Sequence, residues 1–147
     1  MIIDESQSHL MNNLNLSRPI IFTNGVFDLV HTGHLVYLET LDFIKGKGSL
    51  IVAINSDSSV KRLKGPSRPI LFERDRAYIL SRIKGVDCVI IFHSDTPESL
   101  LEIIQPDILC KGGNYRIEEV VGKSIVESYG GHVIVVSGKS SDSTSAI

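Results

Sequence analysis

Tryptophan is absent, cysteine occurs only twice, and aromatic residues make up 6% of the 147-residue chain. Cys88 in VDCVIIF and Cys110 in DILCKGG sit in short apolar runs, with no CxxC spacing and no histidine pair beside them. That excludes a disulfide framework and a structural zinc site, and leaves two reduced, buried thiols. No apolar run approaches the roughly 18 residues of a membrane span, and MIIDESQSHLMNNLNLSRP lacks the basic-then-apolar order of a secretory leader. A cytoplasmic protein that engages no membrane is therefore expected. The formal net charge of −2 lacks the basic excess of a nucleic-acid binder, so no nucleic-acid partner is expected. Several catalytic signatures are also missing: GxGxxG after a strand, the GxSxG elbow and HExxH. The GKS triplets at Gly122 and Gly138 are not P-loops, because Ile117 and Val133 stand where the leading glycine is required.

What is present reads as one domain with a real core, 42% of the residues being hydrophobic. Residues 1–17 are polar and weakly periodic, a loose or partly helical extension, and the domain spans 18–147. Within it, β-branched runs (PIIFTN, SLIVAIN, VDCVIIF, DILCK, HVIVVS) alternate with helical patterns such as HLVYLETLDFIK and ERDRAYILSRIK. That alternation predicts right-handed βαβ units, and the unbroken apolar runs require strands buried on both faces. The expected fold is α/β: a Rossmann-like three-layer domain with a five-stranded parallel sheet and helices on both faces. Ser56–Phe72 is the long connection without clear periodicity, at a carboxyl end where open α/β sheets bind ligands. Eight of the fifteen basic residues lie between Lys61 and Lys84, against Glu73 and Asp75. A small polyanion fits there; for Arg82 and Lys84 a solvated helix face is the alternative.

The stretch FTNGVFDLVHTGH, residues 22–34, falls where the first strand hands over to the first helix. Phe22 and Thr23 end the strand, Asn24 to Thr32 form the loop, and Gly33 and His34 open the helix. A helix N-terminus presents unpaired N–H groups and partial positive charge, and so holds an anion without any side chain. Gly25 and Gly33 clear space for a phosphate near the backbone, and His31 and His34 can both project N–H groups toward developing phosphoryl charge. Two other readings of this stretch stay open: a metal site of Asp28, His31 and His34, or histidines that cap the loop.

HTGH matches the HxGH signature of the nucleotidyltransferase superfamily, and GVFDLVHTGHLVYLE resembles its cytidylyltransferase-like branch. INSDSSVKRLKGPSRPI, ERDRAYIL, DTPESLLEIIQPDILCKGGNY, VESYGG and DSTSAI resemble the heptose 1-phosphate adenylyltransferases, whether stand-alone or as the C-terminal half of a bifunctional kinase/adenylyltransferase. The likeness covers about residues 20–147. Asn114 departs from it, since the family usually has KGGDY, and Ser143-Thr144-Ser145 stands for its STT.

The resemblance implies transfer of AMP from ATP to D-glycero-β-D-manno-heptose 1-phosphate, giving ADP-heptose and pyrophosphate, with a separate kinase supplying the sugar phosphate. It implies catalytic roles for His31, His34, Lys61 and Lys64. The nucleotide contacts it implies are Thr23, Asn24, Gly25, Val26, Phe27, Asp28, Gly33, Arg76, Lys111, Gly112, Gly113, Asn114, Ser143, Thr144 and Ser145. Asp28 would orient its neighbours by hydrogen bonding, and Arg76 would touch phosphate. Mg²⁺ would be held through ATP phosphates and water rather than by a protein site, and a homodimer is implied. The alternatives are a CTP-using enzyme resembling glycerol-3-phosphate cytidylyltransferase, or a nucleotide-binding protein without turnover.

Overall fold

The computed structural model describes residues 1–7, 9 and 15–137. Ser143, Thr144 and Ser145 lie outside the described residues. Six strands, β1 (Ile2–Asp4), β2 (Ile20–Gly25), β3 (Ser49–Asn55), β4 (Cys88–Phe92), β5 (Ile108–Gly113) and β6 (His132–Ser137), form one parallel sheet in the order β1-β4-β3-β2-β5-β6. The helices are α1 (Thr32–Lys45), α2 (Asp57–Lys64), α3 (Glu73–Ser81), α4 (Glu98–Ile104) and α5 (Lys123–Ser128). Among the described residues, no helix is long and apolar enough to cross a membrane.

Strand residues sort by parity onto two cores. Ile21, Leu50, Val52, Ile54, Val89 and Ile91 pack with Leu38 and Leu41 of α1 and Ala77 and Leu80 of α3. Phe22, Ile51, Ala53, Ile90 and Phe92 pack on the other face with Leu100, Leu101 and Ile104 of α4 and Val126 of α5. This is the physical reason the strands read as unbroken apolar runs: successive side chains face opposite helical layers.

Two expectations change. The sheet has six strands, not five, because Ile2–Asp4 pairs in parallel with Val89–Ile91 at the edge. A strand of three residues is too short to show periodicity. It is fastened from outside itself: the Val89 N–H donates to the Met1 carbonyl, and His93 Nε2 lies 2.8 Å from Asp4 Oδ1. The second change is α2, which occupies the segment read as a loop. Ser56 caps it by accepting from the Ser59 N–H at 3.2 Å, Asp57 sits in its first turn and Lys61, Arg62 and Lys64 in its last. Those charges complement the helix dipole. Its apolar stripe is nearly absent, Val60 being buried and Leu63 exposed, so periodicity had little to report.

The chain winds outward from β2 on one side through β3 and β4, then returns to build β5 and β6 on the other. That makes the β2/β5 boundary the topological switch point, where the carboxyl ends of the strands part into a crevice. The split is visible in the register. The β2–β5 ladder ends at Thr23↔Cys110, while β2 continues along β3 to Gly25 and β5 continues along β6 to Gly113.

Candidate active site

Into that split opens a cleft of about 570 Å³, walled by the end of β2 and its loop (Thr23–Phe27), by α1 and its cap (His31, Gly33, His34, Tyr37, Thr40), and by Lys111–Tyr115. The geometry of its phosphate end begins with HTGH. His31 is the N-cap of α1, and its Nδ1 accepts from the Gly33 N–H at 3.0 Å. The Nδ1 of His34 accepts in turn from the His31 N–H at 3.2 Å. The two rings stack, centroids 3.9 Å apart. A ring nitrogen that accepts from a backbone N–H carries no proton, so each neutral imidazole holds its hydrogen on Nε2. Burial, and then the His31 charge, keep the His34 pKa below the ordinary histidine value and favour that neutral form. The capping reading and the catalytic reading thus use opposite edges of the same rings: Nδ1 closes the helix, and Nε2–H remains as a donor for a ligand.

Gly33 leaves the room this arrangement uses. A Cβ there would stand 2.8 Å from His31 Cε1 and 3.0 Å from Nδ1, displacing the ring from its cap. Phe27 packs against His34, its ring 5.1 Å from that of the histidine, in a backbone conformation of φ +50° that few non-glycine residues adopt.

Lys111 spans the split. Its Nζ donates to the Asn24 carbonyl at 3.2 Å and lies 5.5 Å from the centre of the Tyr115 ring, and burial holds its pKa below the usual lysine value. With one donor engaged, an ammonium has two more for an anion. Among the described residues no Asp or Glu lines the cleft, and the polar groups they bring to it are two imidazoles, an ammonium, hydroxyls and amides. That inventory suits a polyanion.

Of the residues expected at the site, Thr23, Asn24, Gly25, Val26, Phe27, His31, Gly33, His34, Lys111, Gly112, Gly113 and Asn114 all line the cleft. Asp28 lies behind it. Its carboxylate accepts from the Ile70 and Leu71 N–H groups at 2.9 Å and pairs with Arg68 at 3.6 Å, so the 68–72 segment is pinned to the histidine loop. Burial alone would raise the Asp28 pKa, but the Leu71 and Ile70 N–H groups with the Arg76 and Arg68 charges outweigh it and hold it low. With its carboxylate turned to that segment, Asp28 does not join the histidines as a third metal ligand here.

Arg76 corrects its expected role. It is fully buried, donating from Nη1 to the Val26 and Asn55 carbonyls, from Nε to the Leu71 carbonyl, and from Nη2 to Asp57 Oδ1 at 2.8 Å. Enclosed and so engaged, it is a strut that joins the histidine loop, the end of β3 and the start of α2, not a phosphate contact. Lys61 and Lys64 are exposed on α2 and do not line the cleft, although α2 rises from the same carboxyl edge of the sheet. Reading the sequence missed Tyr37, Thr40 and Tyr115. Tyr37 and Thr40 follow His34 at helical spacing, and that signal was available.

Comparison with known proteins bears on this arrangement directly. The family model described as Cytidylyltransferase-like matches residues 22–145. The chain belongs to the cytidylyltransferase-like family. Within curated proteins it is similar to "Bifunctional protein HldE" of Ectopseudomonas mendocina, 51% identical over 146 residues, covering 99% of this chain and 29% of that one. It is similar also to "Bifunctional protein HldE" of Syntrophotalea carbinolica, 49% identical over 81% of this chain and 24% of that one. The chain therefore spans 24–29% of these relatives' length. Among solved structures, the lipopolysaccharide core biosynthesis protein of Thermoplasma volcanium superposes with a TM-score of 0.65 at 29% identity, covering 80% of this chain and 93% of that one. A pantoate-beta-alanine ligase from Francisella tularensis superposes at 0.64 with 18% identity, covering 93% of this chain and 67% of that one, a likeness of fold. The cytidylyltransferase-like membership, a six-stranded parallel sheet and a histidine-capped helix at its switch point agree with one another.

Proposed function

We propose that the chain is a sugar-phosphate adenylyltransferase, moving AMP from ATP to a heptose 1-phosphate with release of pyrophosphate. The observation that carries the reading is the pair of Nε2–H donors fixed side by side over the N-terminus of α1. The heptose assignment is supported by the KRLKGPSRPI, DTPESL and KGGNY motifs and by about half-identity to the HldE proteins over nearly the whole chain.

The chemistry needs little from the protein. A sugar phosphate is already a nucleophile, so its oxygen attacks the α-phosphorus in line while the bond to pyrophosphate breaks. His31 and His34 donate to the α-phosphoryl oxygens as charge builds, and the α1 N-terminus and Lys111 add positive potential to the cleft. The residues fit a Mg²⁺ carried by phosphate oxygens and water, which would neutralise the triphosphate, because the described lining residues offer hydroxyl and amide oxygens and, among them, no carboxylate to hold the ion itself. Lys61 and Lys64 are assigned to the sugar phosphate and the leaving pyrophosphate, from the exposed face of α2. A homodimer and a cytoplasmic setting belong to the same proposal.

Pyrophosphate release tests it, crossing ATP and CTP with β-heptose 1-phosphate and glycerol 3-phosphate in the presence of Mg²⁺. Turnover with ATP and the heptose phosphate, reduced roughly 10²–10³-fold in His31→Ala, is the expected result. Turnover with CTP and glycerol 3-phosphate moves the protein to that branch of the family, and nucleotide binding without turnover makes it a binding protein.

A further inference from the structure

The floor of the cleft carries a hydroxyl pair with no part in the phosphate chemistry. Tyr37 Oη and Thr23 Oγ1 lie 2.8 Å apart. Thr23 is buried at the end of β2, Tyr37 is half-buried on α1, and both line the cleft. Burial pushes the phenol above its ordinary value, against the lowering effect of the Thr23 bond, so it stays protonated. Two hydroxyls bonded to each other use one O–H between them, and the second O–H, with the remaining lone pairs, is left for a further partner.

The pair's position follows from the helix. His34, Tyr37 and Thr40 occupy one face of α1, so Tyr37 lies roughly 4.5 Å beyond His34 along the axis and Thr40 roughly 9 Å beyond it. Gly112 forms the facing wall. A Cβ there would stand 3.0 Å from Tyr37 Cε1, so glycine allows the ring to lie flat against β5 and keeps the hydroxyl at the floor. From the histidines past Tyr37 to Thr40 the cleft is long enough to take a pentose beyond a phosphate seated at the histidines.

Resting on the nucleotidyl-transfer reading above, we infer that the Tyr37–Thr23 hydroxyl pair reads the hydroxyl edge of the nucleotide's pentose and so selects ribonucleotides. A site built to hydrogen-bond a hydroxyl rejects an analogue that lacks it, because its own polar groups are then left unpaired. A pair that merely packed α1 against β2 would affect every nucleotide alike.

The test is the ratio of dissociation constants for ATP against 2′-deoxyATP and 3′-deoxyATP, by calorimetry with Mg²⁺, in the unaltered protein, Tyr37→Phe and Thr23→Val. Phe retains the ring against Gly112, and a melting curve confirms that each variant folds. The unaltered protein is expected to prefer ATP over at least one deoxy analogue by roughly tenfold or more, and both variants to lower that ratio roughly five- to tenfold, with ATP itself weakened less than the ratio changes. Equal affinity for all three nucleotides in the unaltered protein overturns the inference, as does a ratio unchanged in Tyr37→Phe. Failure of any nucleoside triphosphate to bind the unaltered protein overturns the nucleotidyl-transfer reading instead, and this inference falls with it.

Discussion

Gly33 shows how tightly a single residue can be specified. The interval in HTGH lets the first histidine cap the helix that carries the second, and the ring of His31 occupies the space a side chain at position 33 would take. Gly33→Ala must therefore push the His31 ring off its present cap geometry while leaving both histidines in the chain. We expect a stability loss of about 0.5–2 kcal/mol, the usual range for a lost N-cap, together with a fall in kcat/KM of an order of magnitude or more as Nε2 loses its aim. Denaturant melts and pyrophosphate-release kinetics on the same variant check it; a stable protein of unaltered activity would show that the cap does not orient the catalytic edge. The spacing of this motif was legible in the sequence. The reason for its glycine was not, since clearance for a phosphate and clearance for a neighbouring ring ask for the same residue.

Elements were legible in proportion to how far their own residues determine them. The central strands carry their burial in unbroken apolar runs, and α1 and α3 carry theirs in periodicity. β1 and α2 do not, because each is held by contacts from distant segments: β1 by β4 and His93, α2 by its Ser56 cap and the Asp57–Arg76 pair. Arg76 was misassigned for the same reason, its four acceptors being spread from Val26 to Leu71. Arg76→Met should cost about 3–5 kcal/mol, since it leaves Asp57 and three carbonyls without their donor, whereas Lys64→Ala on the exposed face of α2 should change stability by less than about 0.5 kcal/mol. Urea titrations of the two variants separate a strut from a surface cation. The β1 edge adds a dependence on pH. The Asp4 hydrogen bond raises the His93 pKa, against desolvation and assisted by the charges of Asp4, Glu73 and Glu5. Burial alone would raise the Asp4 carboxyl, but the Ser6 N–H and His93 outweigh it and hold it low. The histidine's share of stability is fully present below its unfolded pKa of about 6.5 and is lost as pH rises through the higher folded value. Exchange of the Val89 amide, corrected for intrinsic chemistry, should therefore accelerate relative to the rest of β4 between about pH 6 and 8, and Asp4→Asn should abolish that step.

At the scale of the whole molecule, the sheet is two wings that share a short ladder. β2 pairs with β3 at six positions and β5 with β6 at six, but β2 meets β5 at only three, Ile21↔Ile108, Phe22↔Leu109 and Thr23↔Cys110. Beyond the seam the strands part, and in the cleft the wings are joined by Lys111 donating to the Asn24 carbonyl. A nucleotide bound there touches the histidine wing and the Lys111–Tyr115 wing together, so it does for the open end what the ladder does for the closed one. Binding to the folded state alone adds RT ln(1 + [L]/Kd), roughly 2.7 kcal/mol at a hundredfold excess over Kd. For a chain of this size that is a rise in Tm of roughly 5–10 °C. ATP with Mg²⁺ should produce it in a thermal melt, with the greatest slowing of hydrogen exchange at the parted strand ends, Asn24–Gly25 and Lys111–Gly113, and little at β1. A rise in Tm with protection spread evenly over the sheet would place the nucleotide elsewhere, because ligand bound outside the seam has no reason to protect its two lips before the rest of the strands.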